Sequence, residues 1–185
     1  YLMTASNGAD RYYRAKAAFD YLKLEQVTGD MDPTRAAEVL ERLRYIWRGD
    51  DFEINVMEYL GDFYLDQKDY RKGLEVLRSI IPLVEDDQEK TDEITQKLTD
   101  TFAQLFVEDA GQDIPPLTAL SLYNEFSELT PVGREGDRAI QKLAERMVEV
   151  DLLDRAAKLL EHQIKFRLQG VEATQVGTRL AAIRL

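Results

Sequence analysis

The sequence predicts an all-α fold of about four antiparallel helical hairpins followed by a final helix, the hairpins either closing into a bundle or stacking into a solenoid. Three observations carry that prediction. Apolar residues recur at i, i+3, i+4 and i+7 along almost every segment, and no stretch alternates with period two. Short clusters of Asp, Gly and Pro interrupt this pattern at close intervals, so consecutive helices are joined by short connections and pair as αα-hairpins. Two glycines, Gly61 and Gly73, lie inside consecutive amphipathic helices. A helix-interior glycine costs about 1 kcal/mol relative to alanine, so a pair of them in one hairpin points to close approach of the two backbones.

The first helix is expected from Ala9 to Gln26, with Tyr12, Ala15, Phe19 and Leu22 on one stripe. Gly29 to Pro33 interrupts it, and Asp32 followed by Pro33 reads as an N-cap and first-turn pair. A second helix carries Ala36, Ala37, Leu40, Leu43 and Trp47 and is expected to stop at Gly49. The third runs from Phe52 to Asp66 and the fourth from Tyr70 to Val84, joined by Gln67-Lys68-Asp69 with Asp69 as the cap.

An acidic break, Glu85 to Glu89, precedes a long fifth helix through Ile94, Leu98, Phe102, Leu105 and Phe106, ended by Gly111-Gln112-Asp113. Pro115-Pro116 opens a sixth helix carrying Leu117 to Leu129. The seventh spans Asp137 to Val150 and the eighth Leu153 to Leu168, with a ninth beginning after Gly170. The whole of 1–185 reads as one domain, taken from a longer repeat protein.

Composition narrows the function classes. With 44% hydrophobic and 32% charged residues, the chain is ordinary for a folded protein and unlike a disordered one. No apolar run reaches the roughly 18 residues needed to cross a bilayer. The formal charge of −11 argues against nucleic acid and against anionic membrane surfaces, both of which require clustered Lys and Arg. Cysteine is absent, which removes disulfides, thiolate metal sites and thiol nucleophiles, fits a reducing compartment and is compatible with a periplasm.

Catalytic motifs are also missing, and no enzyme activity, cofactor or metal is expected. His162 is the single histidine, set among Glu161, Gln163 and Lys165 with no nucleophile beside it in sequence, so a structural or surface role is expected for it. Asp30-Met31-Asp32 and Asp86-Asp87 do not have the offsets of a calcium loop and read as caps and turns. Gly133-Arg134-Glu135-Gly136 lacks the ending and the preceding strand of a phosphate loop. Arg48-Gly49-Asp50 spells an adhesion tripeptide at a position where helix stop and cap explain it better, and Trp47 reads as core.

The segment from Met57 to Ile81 resembles the tetratricopeptide repeat, a family that pairs two helices in about 34 residues. Met57, Leu60, Gly61 and Tyr64 match its first helix, Asp69-Tyr70 its turn, and Gly73, Leu77 and Ile80 its second helix, although Ile80 is larger than the family prefers. A weaker copy has Leu143, Ala144 and Met147 on one helix and Ala156, Leu160 and Ile164 on the next. The chain is also similar to large bacterial repeat proteins, a likeness that adds no mechanism.

The resemblance implies a right-handed superhelix whose concave face binds peptides, so that the chain works as a non-catalytic scaffold or adaptor. It places Asn55, Glu58, Asp62, Leu65 and Asp66 on that groove from the first copy, and Arg138, Gln141, Glu145 and Val148 from the second. Glu58 and Asp62 stand where carboxylate-gripping members carry Lys and Asn, which favours a basic or amphipathic protein segment as partner. Two alternatives are a structural spacer or self-assembly segment, with homo-oligomers forming through the solenoid ends, and an accessory helical domain of an enzyme such as a cell-wall hydrolase.

Overall fold

In the computed structural model, which describes residues 1, 3–4, 10–108 and 110–185, the defined elements are nine α-helices and two short 3-10 turns, with no strand among the described residues. The chain divides into two compact units, Tyr1–Thr95 and Gln96–Leu185.

The first unit holds α1 (Arg11–Thr28), α2 (Pro33–Ile46), α3 (Asp51–Asp66), α4 (Tyr70–Arg78) and the beginning of α5 (Gln88–Phe106). Each of the first four helices starts on an aspartate whose carboxylate accepts from backbone N–H groups of the first turn: Asp10, Asp32, Asp50 and Asp69. Such caps satisfy donors that have no partner inside the helix. The expected start at Ala9 lies outside the described residues. α1 ends at Gly29, whose φ of 78° suits a residue without a Cβ.

Two helices of this unit end earlier than expected. α2 stops at Ile46, because Trp47 is already extended (φ −123°, ψ 128°), and Gly49 turns the connection rather than ending the helix. Its N–H donates to Glu53 Oε2 at 2.6 Å. α4 ends at Arg78 instead of Val84, since the Pro82 ring would clash with the Arg78 carbonyl and has no N–H to offer it. Ile81–Leu83 forms a 3-10 turn in its place.

Consecutive helices of this unit run antiparallel. Arg11 at the start of α1 donates to the Ile46 carbonyl at the end of α2 (3.0 Å), while Glu25 near the end of α1 pairs with Arg35 near the start of α2. Tyr64 on α3 donates to Glu41 on α2 at 2.9 Å, and burial followed by that bond pushes its phenol well above the ordinary tyrosine range. Between α3 and α4 the approach is closest. A Cβ at Gly61 would lie 2.7 Å from Leu77 and 3.5 Å from the Gly73 carbonyl; one at Gly73 would lie 2.5 Å from Leu65 and 3.1 Å from the Gly61 carbonyl. Leu60, Leu74, Leu77 and Ile80 are fully buried around this contact.

The second unit contains the rest of α5, then α6 (Pro116–Glu125), α7 (Arg134–Glu149), α8 (Leu153–Phe166) and α9 (Gly170–Arg184). α5 ends at Phe106, before the expected Gly111; the Gly111 N–H returns to the Leu105 carbonyl. α6 ends at Glu125, short of the expected Leu129, which lies on a 3-10 turn (Ser127–Leu129). Thr130 is held extended ahead of Pro131, so the helix cannot continue there. Between α5 and α6, Phe102 and Phe106 meet Tyr123 at centroid distances of 5.8 and 5.7 Å, filling the space that glycines close in α3–α4.

Candidate functional site

The face expected from α3 is mostly occupied by its own unit. Eight of its sixteen residues are buried, leaving a narrow strip. Leu65, expected on the groove, instead lies against Gly73: it is one turn after Gly61 and therefore on the side that packs against α4. Glu58 is half-buried in an ion pair with Lys90 of α5 (2.7 Å), and this partner, followed by Glu93, raises the lysine pKa and keeps it charged. Asp62 is half-buried and interacts within the protein, while Asn55 and Asp66 are exposed. Asp66 raises the pKa of Tyr59, after the larger effect of that phenol's burial. Asn55 borders a shallow recess with Asp51, Asp86, Asp87 and Lys90.

The second set of expected residues has a different setting. Arg138, Gln141, Glu145 and Val148 fall on α7 at helical spacing and together form one wall of a cleft of about 430 Å³. α8 supplies Leu160 to its floor, Leu168 follows just beyond that helix, and α9 forms the opposite wall with Gln175, Val176, Arg179 and Ile183. Leu160, Leu168 and Val176 are buried, so the floor is apolar; Arg138, Glu145, Gln175 and Arg179 stand exposed on the rim.

Two ion pairs tie α9 to the preceding helices: Arg134 to Glu172 at 3.6 Å, and Arg184 to Glu161. The lining carries Arg134, Arg138 and Arg179 against Asp137, Glu145 and Glu172. Its charge is therefore balanced, and the acidic character expected for the groove does not extend to this cleft.

At one end of the cleft a polar clamp joins the first turn of α7 to the end of α8. Asp137 accepts from Arg167 Nε at 2.9 Å, and Arg167 Nη2 also donates to the Pro131 carbonyl at 2.8 Å. Gln163, with 0% exposure, donates to the Asp137 carbonyl at 3.0 Å, while its own side-chain oxygen has no hydrogen-bond partner among the described residues. Gly136 must lack a side chain here, since a Cβ would stand 2.0 Å from the Pro131 carbonyl and 2.6 Å from the Arg167 guanidinium.

On the other side of α7, Lys142 donates to the Val107 carbonyl at 2.7 Å, and Arg146 to the carbonyls of Gln112 and Ile114. These bonds hold the connection between α5 and α6.

The cleft lining combines apolar side chains with three arginines and three carboxylates, so it offers a bound molecule apolar contact and charges of both signs. His162 lies outside it, exposed, with its ring 4.6 Å from that of Phe166. Among the described residues no three His, Cys, Asp or Glu side chains converge as a metal site. No helix searched there is long and apolar enough to cross a membrane. The adhesion-like tripeptide is engaged locally: Asp50 Oδ1 caps α3 and accepts from Trp47 Nε1 at 2.8 Å.

Sequence reasoning missed the α9 wall and the clamp. A signal for the wall existed in Ala173, Val176, Gly177, Leu180 and Ile183, which follow helical spacing. The clamp was signalled by Gln163, a polar residue on the apolar stripe of α8; Ile164, expected there, is only half-buried. Comparison with protein-family models, with curated proteins and with solved structures found no match.

Proposed function

We propose that the chain is a non-catalytic interaction segment, a solenoid of tetratricopeptide-like hairpins that takes an amphipathic segment of a partner protein into the α7–α9 cleft. The observation that carries this reading is the cleft itself: an apolar floor between two helices, with charges of both signs along its rim. An amphipathic helix matches that distribution, laying apolar anchors on Leu160, Leu168 and Val176 and reaching the rim with polar groups. The recurrence of the α3–α4 hairpin frame in α7–α8 supports the repeat architecture.

The test is a selection of displayed helical peptides against the whole chain, followed by affinity measurements on two variants. Val148→Arg crowds the α7 wall, whereas Glu58→Lys combined with Asp62→Lys reverses charge on the α3 face. The expected result is at least a roughly tenfold weaker Kd for Val148→Arg, about 1.4 kcal/mol, with little change for the α3 variant. Peptides that bind Val148→Arg as tightly as the parent would remove the cleft from the proposal. Peptides lost only with the α3 variant would move the site to that face. Circular dichroism checks that each variant retains its helices.

A further inference from the structure

A second surface, independent of the cleft, lies where α1 begins and α2 ends. Arg11 reaches the last carbonyl of α2, which brings the first turn of α1 beside the last turns of α2. Here Tyr12 packs on Trp47 with centroids 4.9 Å apart. Tyr13 and Tyr45 remain 61% and 63% exposed, and the guanidiniums of Arg44 and Arg48 each lie 5.7 Å from the Tyr45 ring. Arg42, one helical turn before Tyr45, and Arg48, whose guanidinium lies near the Tyr45 ring, are exposed, and neither has an ion pair among the described residues. In a chain of net charge −11 this is a localised cationic and aromatic patch. Tyrosine and arginine together are the residue types that anchor protein interfaces.

Beside it is its electrostatic opposite. The α2–α3 connection leads from Arg48 to Asp51, and Asp51 shares a recess with Asp86 and Asp87. The segment from Glu85 to Glu93 holds six acids and one lysine, and that lysine is engaged by Glu58 and Glu93. Asp87 caps α5 and Asp92 accepts from Gln88, but Glu85, Asp86 and Glu89 are exposed and make no ion pair among the described residues. Among the described residues, therefore, the first unit carries arginines without an ion pair and carboxylates without one, the two groups linked along the chain path through Asp51.

We propose that the occupant of this surface is a second copy of the chain, related by a two-fold axis, with the Arg42–Arg48 patch of each copy on the Glu85–Glu89 segment of the other. A two-fold interface uses the same surface on both partners, so a surface carrying adjacent patches of opposite charge complements itself twice over in one closed dimer. Such a contact screens strongly with salt.

Sedimentation equilibrium of the chain tests this. At about 20 mM salt the mass should rise toward twice the 21.3 kDa of the chain, and the dimer Kd should weaken about tenfold or more by roughly 300 mM. Arg42→Glu with Arg48→Glu should be monomeric, as should Glu85→Lys with Asp86→Lys, because each homodimer then faces like charges. An equimolar mixture of the two double variants should dimerise again, since both contacts of the mixed pair join opposite charges. That rescue also excludes misfolding as the cause of monomeric variants.

A parent that stays monomeric up to about 1 mM at low salt overturns the proposal, as does a dimer that either double variant retains or a mixture that stays monomeric. If the monomeric parent binds a polyglutamate peptide, and Arg42→Glu with Arg48→Glu abolishes it, the patch serves an acidic partner of another kind and the second copy is excluded.

Discussion

The hairpins α3–α4 and α7–α8 are built on one frame, displaced along the chain by 83 residues, as from Gly61 to Ala144. Their turns share a conformation: Lys68 and Asp151 both have φ of 60°, and the next residues, Asp69 (φ −84°, ψ 65°) and Leu152 (φ −90°, ψ 51°), nearly coincide. The same backbone bond closes each, Asp69 N–H to Tyr64 and Leu152 N–H to Met147, both at 2.8 Å. Leu60 with Leu143, Gly73 with Ala156 and Leu77 with Leu160 are buried in equivalent places.

The differences show what the frame permits. Glycine at both close positions of α3–α4 becomes alanine at both in α7–α8, so the contact tolerates a methyl when neighbouring side chains are arranged for it. Ile80, fully buried, is replaced by Gln163, also fully buried, and with it comes the clamp to Asp137. The turn aspartate that caps α4 is replaced by Leu152, which gives α8 no side-chain cap. One hairpin is thus held by apolar closeness and capped ends, the other by a buried polar contact.

The largest expected effect comes from breaking the close approach where it is tightest. Gly61→Leu should cost about 4 kcal/mol, read from urea or thermal unfolding, because the new side chain meets buried Leu77 with no room to turn aside. Gly61→Ala alone should cost about 2 kcal/mol, although alanine is the better helix former by about 1 kcal/mol. If Gly61→Ala were as stable as the parent, α3–α4 would have the same tolerance as α7–α8 and the distinction between them would fail.

The clamp provides the counterpart. Asp137→Ala removes the acceptor of Arg167 Nε and leaves that partly buried guanidinium with only the Pro131 carbonyl. A loss of about 2 kcal/mol is expected, below the cost of breaking a fully buried pair because both side chains retain some exposure. A double-mutant cycle with Arg167→Met should show that most of this loss belongs to the pair. Independent costs for the two substitutions would mean that apolar packing alone holds α7 to α8.

Helix existence was legible in the sequence because it depends on short-range periodicity, and the caps Asp32 and Asp69 were legible because capping acts within one turn. Pro82 and Pro131 were visible too, but the apolar pattern was read across Pro82, extending α4 by a turn and a half. The misplacement of Leu65 had another cause. A family-based groove position assigns it by register, whereas the glycine at position 73 leaves a hollow on α4 into which the side chain falls. The clamp joins residues about 26 to 30 positions apart, a relation that no local pattern carries. Arg138, Gln141, Glu145 and Val148 came out on one wall because all four lie on one helix, so their spacing alone aligns them. The facing wall required knowing where α9 packs.

The smallest effect tests whether the remaining difference, the missing cap on α8, is one of sequence alone. Leu152 has nearly the same backbone angles as Asp69, so an aspartate there could place its carboxylate near the first-turn N–H groups of α8, as Asp69 does toward Lys72 at 3.4 Å. Asn, Asp, Ser and Thr caps contribute about 1 kcal/mol, but the long Asp69 bond and the half-buried position of Leu152 reduce what is available. Leu152→Asp should therefore stabilise the chain by about 0.5 kcal/mol, with slower amide exchange confined to the first turn of α8. Slower exchange throughout α7 and α8 would instead mean that the two helices open as one unit, with the clamp rather than the helix end setting their stability. A net loss would show that Leu152 contributes more through apolar contact than a cap can supply, and that the two hairpins share a backbone without sharing the means of holding it.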